Sequence, residues 1–170
     1  MENYINKTET YPTERSKIEI MAPAGSWESL AAAIKAGADS VYFGIGKLNM
    51  RSKSSSNFSV DDLKKIVEIC TENNVKSYLT VNTILYDNDL ISMREIIETA
   101  KEAGISAIIA SDVAAMMYAN SLNVEVHLST QLNISNIEAL KFYAQYADVV
   151  VLARELNLKQ VSEIFSAIQT

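Results

Sequence analysis

The sequence predicts an α/β fold, specifically a TIM-like (β/α) barrel that is incomplete, with six βα units instead of the eight of a closed barrel. Short apolar runs alternate strictly with segments of helical periodicity, which indicates a parallel sheet with right-handed crossovers. Polar and apolar residues alternate within several strands, as expected when one face lies under helices and the other faces a shared lumen. No G-x-G-x-x-G sequence follows the first strand, which argues against an open dinucleotide-binding sheet.

The predicted strands are short apolar runs that end in small or polar residues. Alternation is clearest in the fifth strand, where the apolar residues Val126 and Leu128 flank His127. A strand covered by helices on both faces would instead be continuously apolar. We predict strands at Ile18–Ala22, Ser40–Gly44, Ser77–Asn82, Ala107–Ser111, Glu125–Thr130 and Val149–Ala153.

Capping residues mark the boundaries of the predicted helices. A Ser or Asn followed three residues later by Asp, Glu or Gln is typical of a capping box or its close relatives, and this pattern begins at Ser59, Ser135 and Asn157. Ser26 and Asp112 are predicted to be N-caps. Helix ends are predicted at residues that tolerate the left-handed conformation, namely Gly37, Asn73-Asn74, Gly104 and Asn123.

Length and composition suit one domain with a sizeable core, because the chain has 170 residues of which 48% are hydrophobic. Residues 1–16 are polar and are expected to form a flexible N-terminal tail, and residues 17–170 form the partial barrel. Six units leave the first and sixth strands with unpaired edges. We therefore expect the chain to be a fragment of a longer protein, and a homo-oligomer that pairs through its open sheet edges.

Charge and residue counts exclude several classes of function for this segment. The net charge of −6 argues against a broad phosphate-binding surface. One cysteine, Cys70, excludes an internal disulfide, suits a cytoplasmic location and is predicted to lie in the core. With one histidine and one cysteine, we expect no metal site and no cofactor-binding site in this chain. No apolar run reaches the roughly 20 residues of a membrane helix, so no membrane contact is expected.

The candidate catalytic residues follow the fifth and sixth strands. His127 lies on the polar side of its strand, where an imidazole can shuttle a proton, although a lone histidine there is as often structural. Arg154 and Glu155 follow the sixth strand directly. The guanidinium of Arg154 suits a small carboxylate or a phosphate, and the alternative is an ion pair with Glu155 or Glu19. A nucleophilic pair of Ser129 with His127 lacks a supporting Gly-x-Ser-x-Gly sequence.

Further polar residues at strand ends are candidates for substrate binding. The carboxyl ends of parallel strands share one edge of the sheet, so we expect several of these side chains to converge there with His127 and Arg154. His127 and Arg154 are predicted to form an anion-binding patch. The candidate binding residues are Glu19, Tyr42, Arg51, Asn82, Ser129, Gln131 and Asn133.

Taken in order and spacing, several blocks resemble the N-terminal part of the collagenase-like peptidases, peptidase family U32, and most closely the bacterial tRNA-hydroxylation type. The resemblance covers the chain from about Lys17 onward. The blocks are Glu19 to Gly25, Gly37 to Gly44, Asn49 to Arg51, Asn57-Phe58, Val81 to Thr83, His127 to Gln131 with Asn133 and Asn136, and Leu152 to Leu156.

The resemblance implies an enzyme-like family whose members are described as peptidases or take part in hydroxylation of RNA or quinones. It implies that a full-length protein continues into a His-Gly-Ala-Leu-Cys motif and further cysteines that can hold an iron–sulfur cluster. We expect a segment of a protein of tRNA or other RNA hydroxylation, including wobble 5-hydroxyuridine formation, that is inactive by itself. The alternatives are a collagenase-like peptidase and a non-catalytic binding or assembly barrel.

Overall fold

The computed structural model describes residues 18–50 and 58–168, and these residues form a single curled sheet with helices on its outer face. All six strands are parallel and follow one another in sequence order. The strands are β1 (Met21–Pro23), β2 (Ser40–Gly44), β3 (Lys76–Val81), β4 (Ala107–Ala110), β5 (Val126–Leu128) and β6 (Val149–Val150). The helices are α1 (Trp27–Lys35), α2 (Asp62–Glu72), α3 (Leu90–Ala103), α4 (Val113–Ser121), α5 (Ile137–Tyr143) and α6 (Leu158–Ile168).

The hydrophobic core lies between the outer face of the sheet and the helices. Alternate strand residues such as Phe43, Leu79 and Ile108 join it, together with helix residues such as Leu63 and Ile97. The strand residues between them point to the other, inner face, which lies outside this core cluster. One face under helices and one facing a lumen is the arrangement of a barrel, so the predicted partial (β/α) barrel is confirmed.

Most predicted helix boundaries are confirmed. Ser26 caps α1 and Asp112 caps α4 through their side chains. Asn157 and Gln160 exchange hydrogen bonds between side chain and backbone, as a capping box requires. Ser59 and Asp62 exchange equivalent bonds, but α2 begins at Asp62 and its N-cap is Asp61, so the start predicted at Ser59 is two residues early. The predicted helix ends have positive φ at Gly37, Asn74, Gly104 and Asn123.

The prediction that Ser135 caps the fifth helix is wrong by one residue. The N-cap of α5 is Asn136, whose side-chain oxygen accepts a hydrogen bond at 2.9 Å from the backbone N–H of Ala139. Asn and Ser cap helices equally well. When the two types are adjacent, the sequence alone does not show which of them is the N-cap.

Some strands are shorter than predicted. β1 begins at Met21 instead of Ile18, and the preceding residues Ile18 and Ile20 are 62% and 45% exposed. β5 ends at Leu128 because the Ser129 hydroxyl bonds to the backbone N–H of Gln131 and starts a short 3-10 turn at Thr130–Leu132. Side-chain bonds of this kind compete with the hydrogen-bond ladder of a sheet.

None of the helices in residues 18–50 and 58–168 combines the length and the apolar character needed to cross a membrane.

Candidate functional site

A cavity of about 320 Å³ opens at the carboxyl end of the sheet, and we call it the carboxyl-end pocket. Its size lies at the lower end of the range of about 300–1,000 Å³ that is common for small-molecule sites. None of the lining residues in the described ranges 18–50 and 58–168 carries a charge. The pocket is lined by Met21, Ala24, Gly25, Tyr42, Phe43, Gly44, Asn49, Met50, Thr80, Asn82, Ile109, Ser129, Thr130, Gln131 and Val151.

Strand periodicity brings the polar lining residues together. Side chains of alternate residues point to the same face of a strand, so Tyr42 and Thr80 share the inner face on neighbouring strands. The Thr80 hydroxyl donates a hydrogen bond at 2.9 Å to the Phe43 carbonyl. This bond links β3 to β2. Asn82 and Ser129 follow β3 and β5 directly. The pocket therefore collects residues from all six strands or the segments that follow them.

The segment after β2 closes one side of the pocket through Asn49. This side chain is buried and donates to the carbonyl of Gly46 at 3.2 Å. It lies so close to Gly44 that a Cβ atom at Gly44 would come within 2.3 Å of its side chain. Glycine is therefore required at Gly44 because Asn49 occupies the space of any larger side chain.

Asn82 connects this segment to β5. Its Oδ1 accepts a hydrogen bond at 3.3 Å from the backbone N–H of Met50, and its Nδ2 donates at 3.3 Å to the hydroxyl of Ser129. One side chain thus links residues 32 and 47 positions away along the chain. The three groups form the polar wall of the carboxyl-end pocket.

A second polar group, which we call the amino-end cluster, lies at the opposite end of the sheet. Lys76 pairs with Glu19 at 2.8 Å, and the Tyr78 hydroxyl donates to the other oxygen of Glu19 at 2.6 Å. The Tyr78 ring lies against the imidazole of His127. His127 Nε2 in turn contacts Oε1 of Glu125 at 2.8 Å. The cluster comprises these five side chains and connects the amino-terminal ends of β1, β3 and β5.

The contacts of Glu19 decide its protonation. Partial burial by itself raises the pKa of this carboxyl, but the hydrogen bonds from Lys76 and Tyr78 outweigh burial and lower the pKa to about 2. Burial, followed by the bond to Glu19, raises the pKa of the Tyr78 hydroxyl. Glu19 is therefore ionised and Tyr78 is protonated at neutral pH, as their hydrogen bond requires.

The structure divides the predicted site residues between several places. Four of the predicted binding residues line the carboxyl-end pocket: Tyr42, Asn82, Ser129 and Gln131. Asn133 is exposed, with φ of 49°, and does not line the pocket. Arg51 lies outside the described residues.

His127 and Arg154 do not meet in the pocket, contrary to the predicted convergence. His127 lies in the amino-end cluster with Glu19, while Arg154 and Glu155 are exposed after β6, and none of the four lines the cavity. The alternative in which Glu19 pairs with Arg154 is replaced by its pairing with Lys76. The imidazole Nε2 instead contacts the carboxylate of Glu125, the residue just before β5, at 2.8 Å. Binding of a small carboxylate by His127 and Arg154 stays a prediction.

Sequence reasoning did not identify several residues of the carboxyl-end pocket and of the amino-end cluster. Asn49, Thr80 and Met50 line the pocket, and Lys76 and Tyr78 complete the amino-end cluster. Strand phase correctly predicts that Thr80 and Tyr78 face the lumen, since they alternate with Leu79 and Val81 in β3, but it does not indicate their partners. Nothing in the sequence signals that Asn49 folds back onto Gly44.

The residues of this chain do not fit an iron–sulfur cluster. Cys70 is its single cysteine, and it is fully buried in the core under α2. Burial raises the pKa of the Cys70 thiol to about 11, which disfavours the thiolate that a cluster needs. Among the described residues, no three His, Cys, Asp or Glu side chains are grouped as metal ligands.

Comparison with known proteins relates this half-barrel to a family. The model of peptidase family U32 matches residues 25–170. A collagenase of Porphyromonas gingivalis is 69% identical over 88% of the chain and 36% of its own length. The tRNA hydroxylation protein P1 of Bacillus subtilis is 32% identical over 87% of the chain and 36% of its own length.

The fold is shared with a solved protein of the same family. The structure of the U32 peptidase Mk0906 superposes with a TM-score of 0.72 at 12% identity, covering 87% of this chain and 64% of that one. The chain spans about a third of the length of the curated relatives it matches (36% for the two named above). By the match of the family model over most of its length, the chain belongs to peptidase family U32.

Proposed function

We propose that this chain is the amino-terminal barrel segment of a U32 protein that takes part in hydroxylation of RNA, tRNA in particular, and that the carboxyl-end pocket binds the base to be modified. The observation that carries the proposal is that the described residues lining the pocket are uncharged, with amide and hydroxyl groups next to apolar side chains. Enzymes that modify a base take it out of the stack into such a pocket. The 32% identity with a tRNA hydroxylation protein supports the same proposal.

The position of the potential nucleophile favours this function over peptide hydrolysis. A serine peptidase pairs the serine hydroxyl with a base. In the described part of the chain the Ser129 hydroxyl contacts Asn82 and the backbone of Gln131, while His127 Nε2 contacts Glu125. Ser129 and His127 are therefore engaged at different ends of the sheet.

A collagenase-like peptidase is the second candidate. The observation that favours it is the 69% identity with a protein named collagenase. Under this alternative the neutral pocket would hold an uncharged stretch of a peptide, and the catalytic groups would come from other parts of the whole protein. A non-catalytic binding barrel would use the same pocket without chemistry.

The test uses the full-length protein that contains this chain. It is expressed in a host that lacks its own RNA hydroxylation proteins, and nucleosides from digested tRNA and rRNA are analysed by mass spectrometry. Hydroxylated pyrimidine should appear with the wild type and decrease strongly with Asn82→Ala, which removes part of the polar wall. Gelatin cleavage is measured on the same preparation. Cleavage without RNA hydroxylation would establish the peptidase instead.

In this proposal, other parts of the whole protein bind the cofactor and the RNA backbone. An iron–sulfur cluster would take its thiolates from cysteines outside this chain, because Cys70 does not fit. The net charge of −6 disfavours phosphate contacts on this segment, so basic surface elsewhere would hold the RNA backbone. A cytoplasmic location is proposed with this function, since RNA and a reducing environment are both found there.

Self-association through the sheet edges is proposed as well. Among the described strands β1 and β6 each have one neighbour, and Ile18 and Val149 near these edges are 62% and 41% exposed. A second copy that covers such edges removes unpaired backbone groups from solvent. Sedimentation of the chain at micromolar concentration tests this, and a compact monomer would contradict it.

A further inference from the structure

The even-numbered strands all begin in the same way. A side chain just before each of β2, β4 and β6 accepts a hydrogen bond from a backbone N–H at or next to the first residue of the preceding strand. The bonds, at 2.8, 3.0 and 2.9 Å, join Asp39 to Ile20, Ser106 to Ser77 and Asp148 to Val126. The three pairs of strands therefore have equivalent registers.

Equivalent registers bring one inner residue from each even-numbered strand, or from the segment that follows it, to the same level of the lumen. The third residue after each accepting side chain is Tyr42, Ile109 or Val151, and all three line the carboxyl-end pocket. The lumen of a (β/α) barrel is filled in layers, and each layer is contributed by alternate strands. These three residues thus form one layer, which we call the pocket floor.

The next layer toward the amino end belongs to the odd-numbered strands and contains Tyr78 and His127. Their rings lie 4.7 Å apart between centroids, and the two residues are only 3% and 8% exposed. Ala107, the inner residue of β4 in register with Tyr78, is too small to separate the rings. Ile109 is the next inner residue of β4 and is in register with His127. The alternation of layers therefore places Ile109 over the ring pair, on its carboxyl side.

The pocket floor is the boundary between charged and uncharged surroundings. Below it, Glu19 contacts Tyr78 at 2.6 Å and Glu125 contacts His127 at 2.8 Å. Above it, no residue of the described ranges that lines the pocket carries a charge. A charged ligand group in the pocket would lose water without meeting a counter-charge, which costs free energy.

We propose that Ile109 is a specificity-determining residue, which separates the imidazole of His127 from the carboxyl-end pocket and so restricts the pocket to an uncharged ligand group. Of the three floor residues, Ile109 belongs to the strand between β3 and β5, so it covers the ring pair most directly. Its branched apolar side chain has no hydrogen-bonding group for a charged ligand. The inference rests on the proposed function, because it takes this pocket as the binding site.

The experiment uses NMR on the full-length protein that contains this chain, with isotope-labelled isoleucine methyl groups and histidine rings. The probes are benzamide and benzoate, which have the same shape and differ in charge. The Ile109 and His127 signals are assigned by their loss in Ile109→Val and His127→Gln. In the wild type, benzamide should shift the Ile109 signals, leave the His127 signals unchanged, and bind at least about tenfold more tightly than benzoate.

Ile109→Ala opens the floor above the imidazole. Both probes should then shift the His127 signals, and the preference for benzamide should decrease several-fold because a carboxylate reaches the ring. Ile109→Val keeps a branched side chain and should leave His127 as unresponsive as in the wild type. The matched control is Ile91→Ala, the same change at an isoleucine of α3 that is 68% exposed and lies outside the pocket. Circular dichroism melting establishes that each variant is folded.

The wild-type titration decides the matter if Ile109→Ala does not fold, since Ile109 must respond to benzamide and His127 must not. A shift of His127 by either probe in the wild type would overturn the inference. So would an unmoved Ile109, equal affinities for the two probes, or an unresponsive His127 in folded Ile109→Ala.

Failure of the proposed function is distinguished by the nucleoside analysis of RNA, which does not depend on these probes. Hydroxylated RNA together with a responsive His127 in the wild type removes only the inference about Ile109. Absence of hydroxylation, with benzamide preferred and His127 unresponsive, leaves the role of Ile109 and removes the reaction.

Discussion

Tyr78 and His127 lie ring against ring on the inner face of the sheet, with centroids 4.7 Å apart and planes inclined by 59°. They belong to β3 and β5, so the contact passes over the intervening strand β4. Each ring is also tied to a carboxylate, Tyr78 to Glu19 and His127 to Glu125. The aromatic contact therefore connects two strands that are not neighbours in the sheet.

Tyr78→Phe should destabilise the chain while preserving the ring contact. The change removes the hydrogen bond to the ionised Glu19 and leaves the aromatic packing in place. A hydrogen bond to a charged group is worth about 1.5–3 kcal/mol, and we expect a loss in this range in urea unfolding. Tyr86→Phe is the control, since Tyr86 is 71% exposed. Equal stabilities of the Tyr78 variant and the wild type would contradict the role of the bond.

Glu19→Gln should alter the pH dependence of stability. The pKa of Glu19 in the folded chain is about 2, below its ordinary value of 4.5. The carboxylate therefore stabilises the fold above about pH 4.5, and this contribution is lost as the pH falls from there toward 2. The variant should be less stable at pH 7 and its stability should fall less steeply over that acidic interval. Urea unfolding from pH 2 to 7 measures this, and parallel profiles would refute it.

Gly44→Ala should destabilise the pocket wall. An added Cβ would meet the Asn49 side chain at 2.3 Å, so that side chain must move from its buried site. Overpacking of this kind costs about 1–3 kcal/mol. The control is a double-mutant cycle with Asn49→Ala, in which Gly44→Ala should cost less because the obstructing side chain is gone. Additive effects would show that the two residues do not interact.

Asn136→Ala and Ser135→Ala form a matched pair that tests the start of α5. Removing the capping oxygen of Asn136 should cost about 0.5–2 kcal/mol, whereas Ser135 makes no capping bond and its replacement should have little effect. Thermal unfolding followed by circular dichroism compares the two variants. The reverse order of stabilities would restore Ser135 as the cap.

The thiol of Cys70 should be unreactive in the folded chain. It is fully buried, and burial raises its pKa to about 11, so accessible thiolate is scarce. Reaction with a disulfide reagent at pH 8 should be slow in buffer and fast above the urea midpoint. Because the chain has one cysteine, the measured rate reports the opening of the core around α2. Rapid reaction without urea would contradict its buried position.

Patterns that depend on one strand or one helix were predictable from the sequence. The period of two in β3 and β5 indicated the two faces of the sheet, and Asn157 with Gln160 indicated a helix start. Such signals are local, because propensity and capping act over a few residues. The predicted sequential order of the strands is confirmed, and four of the predicted binding residues, Tyr42, Asn82, Ser129 and Gln131, line one pocket.

Positions that depend on the choice between competing partners were not predictable. His127 has the correct phase to face the lumen, but its ring nitrogen pairs with Glu125 two residues earlier rather than with groups at the carboxyl end. The fold of Asn49 over Gly44 depends on the path of the segment after β2, which has no periodic pattern. Which partner a side chain contacts depends on distances in the folded structure. The spacing of residues in one sequence does not reveal those distances.

The separation between the amino-end cluster and the carboxyl-end pocket has a consequence for protein engineering. Substitutions at well-separated sites with no shared partners have nearly additive effects on stability. Ser129 or Gln131 can therefore be varied to accept new ligands, while the bonds of Glu19 and Lys76 continue to stabilise the amino-terminal ends of the strands. A library confined to the pocket wall should retain folded members at a high rate, and a stabilising change near Lys76 should benefit all of them alike.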